Sequence, residues 1–196
     1  MPASGLSRSE RQVTAAAAVS SAEACSPERI IDCHVHFYDP WRPGHSGLGS
    51  AGPLRRVCLS AQCRALTSKH GVTGAVLVEC SDPVEDNQWL LDMSDTDEFI
   101  VGVVGHVEPG PLFHSTIERL ARHPRFVGVR PTPPRKAAQC SIEELRHLRD
   151  SGLVLDHMVG PKHENINQFL EKLKQVPGLR VVLNHMGQPN KGDGGE

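Results

Sequence analysis

Six short apolar runs, at residues 30–36, 73–80, 100–107, 126–130, 153–159 and 180–185, constrain the fold of this chain more than any other feature. From the second run onward their starts lie about 27 residues apart, the length of a strand followed by a crossover helix. The runs are rich in β-branched residues and near-continuously apolar. Strands with that pattern are buried on both faces, as in a parallel sheet covered by helices. The intervening segments carry helix signals. Asp82-Pro83-Val84-Glu85 offers a cap, a proline at the first helical position and a carboxylate. Ser141-Ile142-Glu143-Glu144 is a capping box, and Ile142, Leu145 and Leu148 share one helical face. Residues 163–176 place Ile166, Phe169, Leu170 and Leu173 at helical spacing. Gly71, Gly152 and Gly178 each fall between a helix and the next strand, where a left-handed turn is useful. The reading is an α/β chain built as one regular series of βα units.

A net charge of −2 over 196 residues argues against nucleic acid or an anionic membrane as partner. No run of about 18 apolar residues suits a membrane span. The six cysteines form neither a CxxC pair nor a dense framework, which fits a reducing, cytoplasmic compartment. Residues 1–28 are rich in Ala and Ser, with Arg8 and Arg11 but also Glu10 and Glu23. They read as a disordered or loosely helical leader, the acidic residues weighing against an organelle-targeting peptide. Residues 29–190 form the folded domain, and 191–196 a flexible, glycine-rich tail.

The chemistry gathers at the ends of the runs. In His34-Val35-His36, side chains two apart on a strand project from one face. Two imidazoles then converge on one point: a metal ion, a substrate carbonyl or a water. Asp39-Pro40 ends the strand just beyond them, and parallel α/β folds build their sites at that C-terminal end. Asp32 lies one step deeper on the same face, either orienting an imidazole or simply buried with its polar needs met. His185 ends the last run and can reach the same mouth. The long Gly- and Pro-rich loop at 39–53 reads as a substrate-covering element or as a surface insertion.

Ile-Asp-Cys-His-Val-His-Phe, Gly-Ala-Val-Leu-Val-Glu-Cys, Phe-Ile-Val-Gly-Val-Val-Gly, Phe-Val-Gly-Val-Arg and Val-Val-Leu-Asn-His-Met-Gly-Gln-Pro, in this order, resemble the amidohydrolase-related (amidohydrolase 2) family, and most of all its lactonase-like branch. The resemblance covers about residues 29–190 and implies a TIM-type (β/α)8 barrel lacking its last two βα units, with six parallel strands present. It implies a catalytic function for His34, His36 and His185, which in the superfamily bind a divalent metal, often zinc. Some lactonases of the branch work without a metal. It implies that Arg130, matching Gly-Val-Arg at the fourth strand end, holds a substrate carboxylate or hydroxyl with its guanidinium fork. His157 on the fifth strand is a further substrate-binding candidate, and His106 on the third a weaker one. Glu79 stands where the branch often has Gln. The implied reaction is hydrolysis of a lactone or related cyclic ester, with a metal-dependent decarboxylase of the same family as the alternative. The eighth strand of the family carries an aspartate that acts as general base, whereas here the series stops at six. The expectation is weak or absent activity for this chain, and association through the open edges of its first and sixth strands. A non-catalytic product that binds a partner through those edges is the third reading.

Overall fold

The computed structural model describes residues 29–187, apart from residues 46, 49–50, 82, 132–138 and 159–165. The leader at 1–28 and the tail at 191–196 lie outside the described residues. The strands form where the apolar runs fall: β1 (Ile30–Val35), β2 (Val72–Val78), β3 (Ile100–Gly105), β4 (Phe126–Val129), β5 (Val154–His157) and β6 (Arg180–Leu183). Between them lie α1 (Ser60–Thr67), α2 (Asp86–Thr96), α3 (Phe113–Leu120), α4 (Ile142–Asp150) and α5 (Ile166–Lys174). All six strands join one sheet in sequence order, and each neighbouring pair is parallel. No helix among the described residues is long and apolar enough to cross a membrane.

Leu77, Val103, Val129 and Leu155 are fully buried in one core with Leu90, Leu91, Phe113, Ile117, Leu145 and Leu148 of the helices. That core holds the helices to one side of the sheet. In a flat sheet β1 and β6 would lie about 24 Å apart, at five strand spacings. Yet the rings of His34 on β1 and His185 just after β6 have centroids 5.1 Å apart. The sheet therefore curls until its two outer strands approach across the interior, the curvature of a TIM-type barrel carrying six of its strands. Among the described residues β1 pairs only with β2, and β6 only with β5.

Local signals act as their chemistry dictates. The Ser141 hydroxyl accepts the Glu144 main-chain N–H, and the Glu144 carboxylate accepts that of Ser141, closing the capping box. Its other oxygen takes the Gly110 N–H at 2.7 Å, tying α4 to the loop before α3. Gly71, Gly152 and Gly178 all adopt positive φ. One start signal is displaced: α2 begins at Asp86, because the Pro83 and Val84 carbonyls first accept the Asp86 and Asn87 N–H groups in a tight turn. The α5 face also differs, since Phe169 is buried while Leu170 is exposed.

The long first loop is tied across the end of β2. Tyr38 and Cys58 bond each other's main chain at its two ends. Arg42 donates to Asp86 at 2.5 Å and lies over the Trp89 ring. The Leu48 N–H reaches the Cys80 carbonyl at 3.0 Å. Gly47 sits so close to that carbonyl that a Cβ would stand 2.4 Å from the oxygen, an approach open only to glycine.

Candidate active site

His36 Nδ1–H donates to the Val78 carbonyl at 2.7 Å. A carbonyl only accepts, so Nδ1 carries the proton and Nε2 presents a lone pair. His34 Nε2 lies 3.3 Å from that nitrogen. Burial lowers the pKa of His36 to about 4, the Val78 bond opposing it. Burial also lowers His34, with the fields of Arg130 and His185 adding to the effect. Both imidazoles are therefore neutral near pH 7. Asp32 grips no ring: its carboxylate accepts the His34 main-chain N–H at 3.1 Å, shaping the strand, while the Val78 carbonyl does the orienting.

His185 reaches the mouth through an unusual turn. Asn184 to Gly187 form one tight turn in which His185 and Met186 take φ of 49° and 53°, a left-handed region seldom used outside glycine. That turn sets the His185 ring against His34. Beneath it the Asn184 amide donates to Asp156 Oδ1 at 2.7 Å, with both residues buried.

Arg130 leaves β4 with its main-chain N–H on the Gly105 carbonyl. Its side chain is buried, with Nη1 3.4 Å from the Glu79 carbonyl and Nη2 3.9 Å from Met158 Sδ. Its Nε–H has no hydrogen-bond partner among the described residues, the Glu79 carboxylate standing 3.9 Å away. The guanidinium acts on His34, His36 and Asp156 alike, so it faces the same mouth.

His157 does not join this group. Its ring packs on Phe169 of α5 with centroids 4.1 Å apart, on the helix side of the sheet. Burial alone lowers its pKa to about 4. Alternation along β5 turns Asp156 to the interior instead, where it feels Arg130, His185 and His36. Burial pushes that carboxyl up, and the Asn184 bond opposes the shift. The candidate that the sequence offers on this strand is His157, whereas the group turned toward Arg130 is the carboxylate one position earlier, Asp156. His106 is also buried. Asn87 holds its main-chain N–H and carbonyl, and its Nε2 lies 3.7 Å from Glu108.

The donor set can be tested against a metal. Two nitrogens bound to a tetrahedral zinc at about 2.1 Å would lie about 3.4 Å apart, close to the 3.3 Å between His34 and His36. The outward lone pair on His36 and the carbonyl behind it match how metal-bound histidines are held. Among the described residues no group of three or more His, Cys, Asp or Glu is arranged to hold an ion. The pair fits as two ligands, and His185 does not complete a set with it.

Residues 31–196 match the Amidohydrolase family. L-fucono-1,5-lactonase of Burkholderia ambifaria is 28% identical over 167 residues, which are 81% of this chain and 57% of that protein. Among solved structures, an amidohydrolase from Burkholderia multivorans with bound zinc superposes with a TM-score of 0.66 at 19% identity, over 83% of this chain and 59% of that one. A probable 2-pyrone-4,6-dicarboxylic acid hydrolase from Acinetobacter baumannii does so with a TM-score of 0.63 at 20% identity, over 82% and 59%. The chain thus spans under three-fifths of the length of these relatives. On the family match across residues 31–196, this chain belongs to the amidohydrolase family.

Proposed function

We propose that the site hydrolyses a small lactone or related cyclic ester. The observation that carries this reading is the convergence of the His34 and His36 Nε2 atoms beside the buried Arg130 at the C-terminal ends of the strands. Two similar proteins support it, since the L-fucono-1,5-lactone and the 2-pyrone after which they are named are both cyclic esters. His36 cannot donate to a carbonyl while its Nδ1 proton serves Val78, so its part is to offer a lone pair. His34 and His36 would hold a divalent metal, which when bound supplies Lewis-acid polarisation of the ester carbonyl. Arg130 offers its Nε–H, unpartnered among the described residues, to a substrate oxygen, and the left-handed turn keeps His185 at the same mouth. Slow turnover by this chain alone is part of the proposal.

Proton release from a panel of lactones tests the reading. His36→Ala should lower turnover by about 10²-fold or more. Equilibrium dialysis against zinc gives an independent reading: His34→Ala and His36→Ala should lose the ion, whereas His185→Ala should retain it. Rates and zinc content indifferent to His34 and His36 would sink the assignment.

A further inference from the structure

We infer that Glu79 sets the charge of the ligand: it occupies the field of Arg130, so the site takes a neutral, hydroxyl-bearing ring in preference to one carrying carboxylates. The inference rests on the lactone reading of the same site. A guanidinium buried at a barrel mouth would by itself recruit an anionic substrate group, through paired N–H···O bonds. Here the protein meets that charge first. Arg130 is 6% exposed and Glu79 4%, so solvent screens the pair little. The Glu79 carboxylate stands 3.9 Å from Arg130 Nε, and the main-chain carbonyl of the same residue faces Nη1 at 3.4 Å. Asp156 brings a second carboxyl into the field of the same guanidinium.

A substrate carboxylate at Arg130 would therefore be a further acidic group crowded around one cation, in a site shielded from water. The repulsion offsets what the guanidinium contributes. A hydroxyl or ring oxygen meets no such penalty. It can accept the Arg130 Nε–H, which has no acceptor among the described residues, and a hydroxyl can donate to a carboxylate oxygen in return. Glu79 reaches this place from the end of β2 and Arg130 from the end of β4, 51 residues later. Their pairing is a property of the barrel end.

The test is calorimetric titration of the full chain with two ring probes. One is a neutral six-membered sugar lactam, which cannot be hydrolysed as an ester. The other is isophthalate, a six-membered ring with two carboxylates. The lactam should bind at least about tenfold more tightly to the unaltered protein, and Glu79→Gln, which keeps the side-chain shape, should strengthen isophthalate binding by about tenfold or more and so narrow or reverse the preference for the lactam. Adding Arg130→Gln to that variant should abolish the gain. Thermal melting of each variant verifies that it folds. Tighter binding of isophthalate by the unaltered protein, or a preference indifferent to Glu79→Gln, overturns the inference and leaves the lactone reading standing. Failure of both probes to bind overturns both.

Discussion

His157 shows how one misplaced imidazole links stability to pH. It is buried against Phe169, its Nδ1 has no hydrogen-bond partner among the described residues, and its folded pKa is about 4 against an ordinary 6.5. Above pH 6.5 the ring is neutral in both states and costs nothing. As pH falls from 6.5 to 4 the unfolded chain binds a proton there and the folded chain does not. Stability is lost across that window, by roughly 3 kcal/mol for this residue, and the loss levels off below pH 4. His157→Phe should flatten the slope of unfolding free energy between pH 6.5 and 4, whatever it does to absolute stability. Denaturant titrations at several pH values measure the slope, and identical slopes in the two proteins would refute this origin. Asp156, its neighbour, meets the same burial with a hydrogen bond from Asn184, and so can face the site.

At the scale of single elements, the chain is most explicit where a helix starts and a strand ends. The capping box of α4 is complete, and Glu144 serves both Ser141 and Gly110. Ser141→Ala should cost about 1 kcal/mol, the usual loss for a cap hydroxyl. A lowered denaturation midpoint with unchanged steepness would register it, and an unchanged midpoint would contradict it. The loop after β1 is the counterpart in irregular backbone. Nothing local in the sequence says that Arg42 will meet Asp86 and Trp89, or that Leu48 will reach Cys80. These anchors hold Arg42 against α2 and Leu48 against the end of β2. They satisfy main-chain groups that a long loop would otherwise leave to water.

For the molecule as a whole, the arc of six strands leaves two outer strands with one partner each among the described residues. Val182 is 50% and Leu183 52% exposed, so the β6 edge presents apolar side chains beside main chain that is unpaired among the described residues. Such an edge recruits other chains. Purified protein should therefore form larger species as its concentration rises, read by light scattering behind a sizing column. Val182→Lys with Leu183→Lys should shift the distribution toward monomer while circular dichroism stays unchanged. A monodisperse monomer across the concentration range would show that the edges are inert.

The sequence by itself determined the elements and their order. Strand spacing, near-continuous apolarity, the capping box at Ser141 and the glycines at 71, 152 and 178 are local signals, each acting within one or two turns of chain. It also determined that His34 and His36 share a face, since alternation on a strand is a property of the backbone. Only the tertiary structure decided which face of each later strand turns inward. That choice depends on how the sheet curls, and it sent Asp156 to the mouth and His157 to the helices. It likewise decided the left-handed turn that returns His185 to His34, and the meeting of Glu79 with Arg130. Those arrangements join residues far apart in sequence, and curvature, which no local pattern encodes, brings them together.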